Sequence, residues 1–391
     1  MSKLKELYLK LCMTSVFRNV LEKPLFKHFA AYLEDGATRD EKIKAYGAFV
    51  SEIYANGGSL TNLVSRLVFE DENVYIKSRA HKAHLDKNIV IATQRELKVF
   101  EKIAMLTAED FKADMELEYV SPFTSAQIDL IKQYEKRIKG IGKYGYGIFS
   151  SHTMFRLSDG KEIEPIISAD KTTIAKFVGY EDERESIIAN TRAFIQGRPA
   201  ANTLLCGDAG TGKSSTVKAV ANMFFNDGIR LIELRKDQLS LLPYVMGKVS
   251  ENPLKFIIFI DDLSFNKNDD NFSMLKAALE GSASAKADNS VIYATSNRRH
   301  IIKETFGDRV GDDVHRNDTL QENLSLSERF GLVVLFQKPD KKLYLEIVHE
   351  LAKRSGIEMD KNELDIRAEA FALRKGNRSA RCAEQFVQSL L

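Results

Sequence analysis

Cysteine is scarce. Three residues, Cys12, Cys206 and Cys382, stand far apart in a chain of 391, odd in number and without a C-x-x-C spacing. This excludes a disulfide scaffold and points to a reducing compartment, with Cys206 a small apolar residue of a strand. An excess of one charge is also missing: 57 Lys and Arg face 55 Asp and Glu, a net charge of +2. No whole-chain attraction to nucleic acid or to a membrane follows, and only local patches stay open. Long hydrophobic runs are absent as well. The start, MSKLKELYLKLCMTSVF, is interrupted by Glu6 and Lys10 and lacks the apolar core of a signal peptide. A soluble, cytoplasmic protein with no membrane partner is expected.

What is present is a 44% apolar share over 391 residues, enough for about two or three globular domains with a large core. To about Phe111 the pattern is helical: Leu4, Leu7, Leu11, Val16 and Val20 recur at three- and four-residue steps, and Lys42–Tyr54 and Leu60–Phe69 continue it. Asn56-Gly57-Gly58-Ser59 separates two of these helices, with Ser59 as N-cap. An α-helical domain over 1–125 is predicted, and its His28, His81 and His84 show no metal-ligand spacing.

A linker with short strands is expected over 126–172. Within Ile128–Tyr146, Lys132, Lys136, Arg137, Lys139 and Lys143 interleave with Tyr134, Tyr144 and Tyr146. Such a mix can track phosphates and stack on bases. It fits equally a wet helix face running into a glycine-rich linker, the reading preferred here. Ser158-Asp159-Gly160 then marks a hairpin.

The sharpest signal is Asn202–Val217, NTLLCGDAGTGKSSTV. Gly207, Gly212, Lys213 and Ser214 complete G-x-x-x-x-G-K-[ST], between an apolar strand and a helix start. Glycines let backbone N–H groups close on phosphate oxygens, so Asp208, Ala209, Gly210, Thr211 and Ser215 join the cradle. Lys213 suits the β- and γ-phosphates and Ser214 suits Mg²⁺, while the helix directs its positive end at the anion.

Further strands and helices alternate downstream, with Asp237–Met246 helical, which predicts a parallel sheet with ligands beyond its carboxyl edge. Phe256–Ile260 ends in Asp261-Asp262, so two carboxylates reach the phosphate loop: Asp261 suits Mg²⁺ through water and Asp262 suits orienting or deprotonating the attacking water. A helix N-cap is the alternative for this pair. Val291–Thr295 ends in Ser296-Asn297, where an amide suits the γ-phosphate and the water; an ordinary turn is the alternative. After the charge-rich insertion Lys303–Asn323, Arg329 precedes the strand Leu332–Phe336, and arginine suits bidentate phosphate contact.

Taken in order, VGYEDERE, GDAGTGKSS, FIIFIDDLSF, YATSNRRHII, SLSERFGL and GNRSARCAEQF resemble an AAA+ ATPase over Thr173–Leu391, and more closely an uncharacterised bacterial ATP-binding family within that class. The resemblance implies a P-loop α/β module over 173–338 with a five-stranded parallel sheet, and a helical lid over 339–391. It implies ATP and Mg²⁺ as cofactors, Val178 and Gly179 lining the adenine pocket, and Asn297 as sensor 1. Arg329 would be an arginine finger acting on a neighbour's ATP, in a homo-oligomeric ring such as a hexamer. Arg381 would be sensor 2, with Arg378 its rival. The family usually has Asp-Glu where this chain has Asp261-Asp262, which argues for slower hydrolysis. With the lid closing the sequence, choice of an unknown protein or nucleic-acid client is expected to fall to the N-terminal region or to core loops. The implied activity is ATP hydrolysis that remodels or assembles that client, the alternative being an ATP-controlled, helicase-loader-like binding switch.

Overall fold

The computed structural model describes residues 3–264, 274–277, 279, 288–297 and 329–391. The insertion Lys303–Asn323 lies outside the described residues. The chain divides at Ser151/His152 into two compact units.

The first unit is helical: α1 (Lys3–Cys12), α2 (Pro24–Tyr32), α3 (Arg39–Ala55), α4 (Leu60–Phe69), α5 (Val74–Ala80), α6 (Lys87–Ala104), α7 (Ala108–Met115), α8 (Leu130–Lys139) and the short α9 (Ile141–Tyr144). Local chemistry sets the helix starts. Thr38 and Glu41 form a reciprocal capping box at α3. Ser59 caps α4 by accepting from the Asn62 N–H, as its sequence position predicts. Aromatic rings fill the core, with Phe17 edge-on to Phe100 and Tyr134, and Phe111 packed against Phe29, Tyr32 and Phe49. Glu96 is buried yet satisfied. Its carboxylate accepts from the Ser15, Val16 and Phe17 N–H groups and the Ser15 hydroxyl, fixing the turn after α1.

Residues 126–151, read above as part of a linker, pack within this unit. Leu130, Tyr134 and Ile138, spaced by four, give α8 a buried stripe, and Tyr146 is buried too. Tyr134 and Tyr146 are therefore unavailable for stacking on bases, whereas Lys132, Lys136 and Lys139 are exposed.

The second unit carries one seven-stranded sheet: β1 (Met154–Leu157), β2 (Ile163–Pro165), β3 (Thr203–Gly207), β4 (Ile229–Leu234), β5 (Lys255–Ile260), β6 (Ser290–Ser296) and β7 (Leu332–Phe336), in the order β2-β1-β4-β5-β6-β3-β7. The expected five parallel strands are there, β4-β5-β6-β3-β7, but the sheet is larger and mixed. The hairpin turned by Ser158–Gly160 pairs antiparallel with itself, and β1 adds parallel to β4 through Met154↔Leu231. Met154, Phe155 and Leu157 are buried, so the hairpin is held by apolar burial as well as by the ladder.

Helices α10 (Glu181–Ile195), α11 (Lys213–Met223) and α12 (Leu242–Ser250) accompany the sheet. The helix predicted over Asp237–Met246 is instead a 3₁₀ turn, Lys236–Leu241, followed by α12, because Pro243 belongs in the first turn of a helix and not in its interior. Beyond β7, α13 (Lys341–Arg354), α14 (Lys361–Lys375) and α15 (Ala380–Gln388) share a core of Tyr344, Ile347, Val348, Ala368, Ala383 and Phe386. Asp340 and Ser379 cap α13 and α15. No described helix is long and apolar enough to cross a membrane.

Candidate nucleotide site

Strand β3 is wholly buried and delivers the glycine loop at its carboxyl end. Gly207 has φ +129°, and a Cβ there would lie 2.0 Å from the Phe336 carbonyl oxygen. No other residue fits so close to β7. The Asp208 N–H donates to that carbonyl, and the Asp208 carboxylate accepts from the Lys338 N–H, so the start of the loop is tied to the end of β7.

Lys213, at the start of α11, turns its ammonium back into the loop. Its Nζ donates to the Gly207 and Asp208 carbonyls, at 3.0 and 2.7 Å, and to Asn297 Oδ1 at 3.1 Å. Burial pushes the Lys213 pKa down, and Asp208, Asp261 and Asp262 oppose that shift. Next to it, the Ser214 hydroxyl donates to Asp261 Oδ1 at 2.6 Å.

The strand order places Asp261-Asp262 and Asn297 beside this loop. Because β6 lies between β3 and β5, the ends of three neighbouring strands meet: the loop after β3, Asn297 after β6, and the carboxylates after β5. Asn297 Nδ2 donates to Asp262 Oδ1 at 2.7 Å. Thr295, on β6, donates to Asp261 Oδ1 at 2.5 Å and accepts from the Asp262 N–H at 3.0 Å. Asp262 has φ +52°, a left-handed backbone that side chains other than glycine adopt rarely, held here by these bonds. Thr295 carries no motif in the sequence. Its pairing depends on the β5–β6 register, which brings the Leu263 N–H to the Thr295 carbonyl.

The donor set suits a hard divalent cation. Asp261 Oδ1 accepts from Ser214, Thr295 and Asp262, while its Oδ2 has no protein donor among the described residues. No described cluster of three or more His, Cys, Asp or Glu could hold an ion by protein ligands alone. Ser214 and Asp261 would therefore share Mg²⁺ with phosphate oxygens and water, the pattern of nucleotide-borne Mg²⁺.

A cleft of about 190 Å³ runs from the loop to the lid, lined by Val178, Tyr180, Arg184, Gly210, Ser215 and Arg381. The lid touches the loop directly. The Arg381 N–H donates to the Gly210 carbonyl at 3.3 Å, and a Cβ on Gly210 would meet Ser379 and Arg381 at 3.1 and 3.3 Å. Gly179 has φ +71°, and a Cβ there would lie 2.4 Å from Leu343 of α13. Arg381 lines the cleft, whereas Arg378 is held by Glu369 through two bonds of 3.0 and 2.7 Å. Sequence reasoning missed Arg184, whose guanidinium lies 5.1 Å from the Phe177 ring and whose pKa burial lowers, and Tyr180, whose hydroxyl donates to the Gln337 carbonyl.

One predicted residue is not brought to this cluster. Arg329 precedes β7, which runs parallel to β3, and Gly331 and Leu332 meet Ala201 and Asn202 at the start of β3. Arg329 thus sits at the opposite edge of the sheet, about 17 Å from its own loop at ~3.3 Å per strand residue.

The intervening strand is the decisive topological feature, since it sets an amide between the phosphate loop and the carboxylate pair. With the C-terminal helices resting on the loop, the second unit is an α/β P-loop module. The chain belongs to the family described as protein of unknown function (DUF815), whose model matches residues 150–391. No curated protein matches. Among solved structures the chain is similar to the RuvB Holliday junction branch migration motor of Thermotoga maritima (15% identity, TM-score 0.38, 55% of this chain and 63% of that one). A proline-to-glycine mutant of the same motor is similar at 16% identity and TM-score 0.37, over 55% and 64% of the two chains. The chain thus spans less than two thirds of the motor's length, and likeness at this level bears on no activity.

Proposed function

We propose that the protein is an ATP hydrolase whose site is completed by a second copy of the chain, and that turnover remodels or assembles a macromolecular client. The observation that carries this reading is the continuous network Ser214–Asp261–Thr295–Asp262–Asn297–Lys213 at the mouth of the loop.

On this reading Lys213 gives up its carbonyl and amide acceptors for β- and γ-phosphate oxygens, and the N–H groups at the start of α11 receive the anion. Val178, Gly179 and the lid face take the base. Mg²⁺ bound with the nucleotide, held by Ser214 and Asp261, supplies charge neutralisation between the phosphates. Asp262 and Asn297 hold the attacking water between a carboxylate and an amide, and Asp262 takes its proton. Arg381 reaches the phosphates from the lid. Arg329 cannot serve its own site across the sheet, so it acts on the neighbour's γ-phosphate in a head-to-tail ring.

The test is phosphate release by the full chain with ATP and Mg²⁺ against Lys213→Ala. Turnover that disappears in the variant is expected, and wild-type turnover no higher than that of the variant would sink the enzyme reading. A second reading, an ATP-controlled binding switch, draws on Asp262: the side chain is shorter than the usual glutamate and already engaged by Asn297. Partner binding that needs ATP and is the same in Asp262→Asn would favour the switch.

A further inference from the structure

The first unit holds a half-buried cation that the nucleotide chemistry leaves unused. Arg137 of α8 lies 4.8 Å from the Phe69 ring centroid and 4.9 Å from that of Tyr144. Burial lowers its pKa, a sign that its charge has lost hydration. Those ring contacts are its direct partners, and among the described residues its guanidinium makes no hydrogen bond or ion pair, the charge of Glu70 acting on it only at longer range. Rings cover the faces of a guanidinium and leave its edge free to meet a ligand acceptor.

Arg137 lines a cavity of about 430 Å³ with Asn62, Arg66, Glu70, Gln127 and Gln133. Two arginines stand there against one carboxylate. The side-chain amides of Asn62, Gln127 and Gln133 make no internal bond among the described residues, so each offers donors and an acceptor to a ligand. Outside the cavity, Lys132 and Lys136 each precede a lining residue, Gln133 or Arg137, by one position, and both are exposed. At four-residue spacing they form a ridge beside the cavity on the same helix. Glu135 is the one acidic residue within α8.

We propose that this face binds single-stranded nucleic acid by its phosphates, one phosphate lying edge-on to the Arg137 guanidinium and its neighbours on the Lys132–Lys136 ridge. The repeated charge of a phosphodiester strand fits a half-buried arginine flanked by exposed lysines. An acidic peptide fits less well, because a peptide site needs apolar anchor pockets and this cavity is lined largely by amides and hydroxyls. With Tyr134 and Tyr146 in the core, base stacking contributes little and sequence preference is weak. The proposal is independent of ATP hydrolysis.

The experiment is fluorescence anisotropy of the full chain, without nucleotide, with a labelled oligothymidylate of about 20 nucleotides, a length that spans one or more single-strand sites. Affinity is expected to fall steeply between about 50 and 200 mM salt. Arg137→Gln should weaken binding at least about fivefold. Lys136→Gln, at an exposed position that does not touch the core, should lower the salt slope by about 0.7. Three results would overturn the proposal: no binding at low salt, wild-type binding by both variants, or a polyglutamate peptide binding with the same dependence on Arg137.

Discussion

Thr295 and Asp261 are joined by a 2.5 Å hydrogen bond from the threonine hydroxyl to Oδ1, and the same hydroxyl accepts the N–H of Asp262. One buried side chain on β6 therefore fixes both carboxylates at the end of β5. Thr295→Val keeps shape and volume but removes donor and acceptor together. Asp261 loses one of its three donors, and the left-handed backbone of Asp262 loses a restraint. On the proposed mechanism, in which both carboxylates serve the chemical step, the expected result is a fall in kcat of about 10- to 100-fold with the KM for ATP nearly unchanged. Stability should drop by about 1–2 kcal/mol, and Thr295→Ser should restore most of the activity. Steady-state phosphate release with denaturant unfolding of the same samples measures both. Wild-type kcat in the valine variant would remove the positioning role.

Arg329 and Lys213 stand at opposite edges of one sheet, which turns the oligomer proposal into a complementation experiment. In a head-to-tail ring each site takes its lysine from one copy and its arginine from the next. Lys213→Ala and Arg329→Ala should each abolish most hydrolysis alone. Mixed in equal amounts under exchanging conditions, about a quarter of the interfaces would pair an intact lysine with an intact arginine, and activity should return to that order. No recovery on mixing, with both variants shown to co-assemble, would place any role of Arg329 within its own subunit.

Much of the site is legible from sequence because its residues sit where strands stop. Lys213, Ser214, Asp261 and Asn297 each follow an apolar run, and a parallel sheet brings such ends to one edge whatever the strand order. Thr295 is not legible in this way, since its bond to Asp261 exists only because β6 neighbours β5 in a particular register. The hairpin is signalled by Ser158–Gly160, yet its membership of the sheet depends on the long-range pair Met154↔Leu231. The glycines after α8 suggest a loose connection. The stripe Leu130, Tyr134 and Ile138 decides otherwise, because burying three large side chains outweighs the freedom of a few glycines.

Asp71, in the first unit, gives a pH prediction of definite sign. Burial pushes its pKa from the ordinary 3.8 up to about 6, against a lowering hydrogen bond from Asn73. The folded chain therefore holds this proton more tightly than the unfolded chain does. Its contribution to stability is fully present below about pH 4 and declines as pH rises to about 6, beyond which the charged carboxylate stays buried at constant cost. Asp71→Asn keeps an oxygen for the Asn73 donor and removes the charge. At pH 7.5 the variant should be more stable by up to about 3 kcal/mol, and near pH 4 the two chains should coincide. Denaturant unfolding of both at pH 4, 5.5 and 7.5, followed by a signal from the first unit, measures the difference. A variant no more stable than wild type at pH 7.5 would mean that the carboxylate is compensated in the fold, where the charge of Lys23 acts on it.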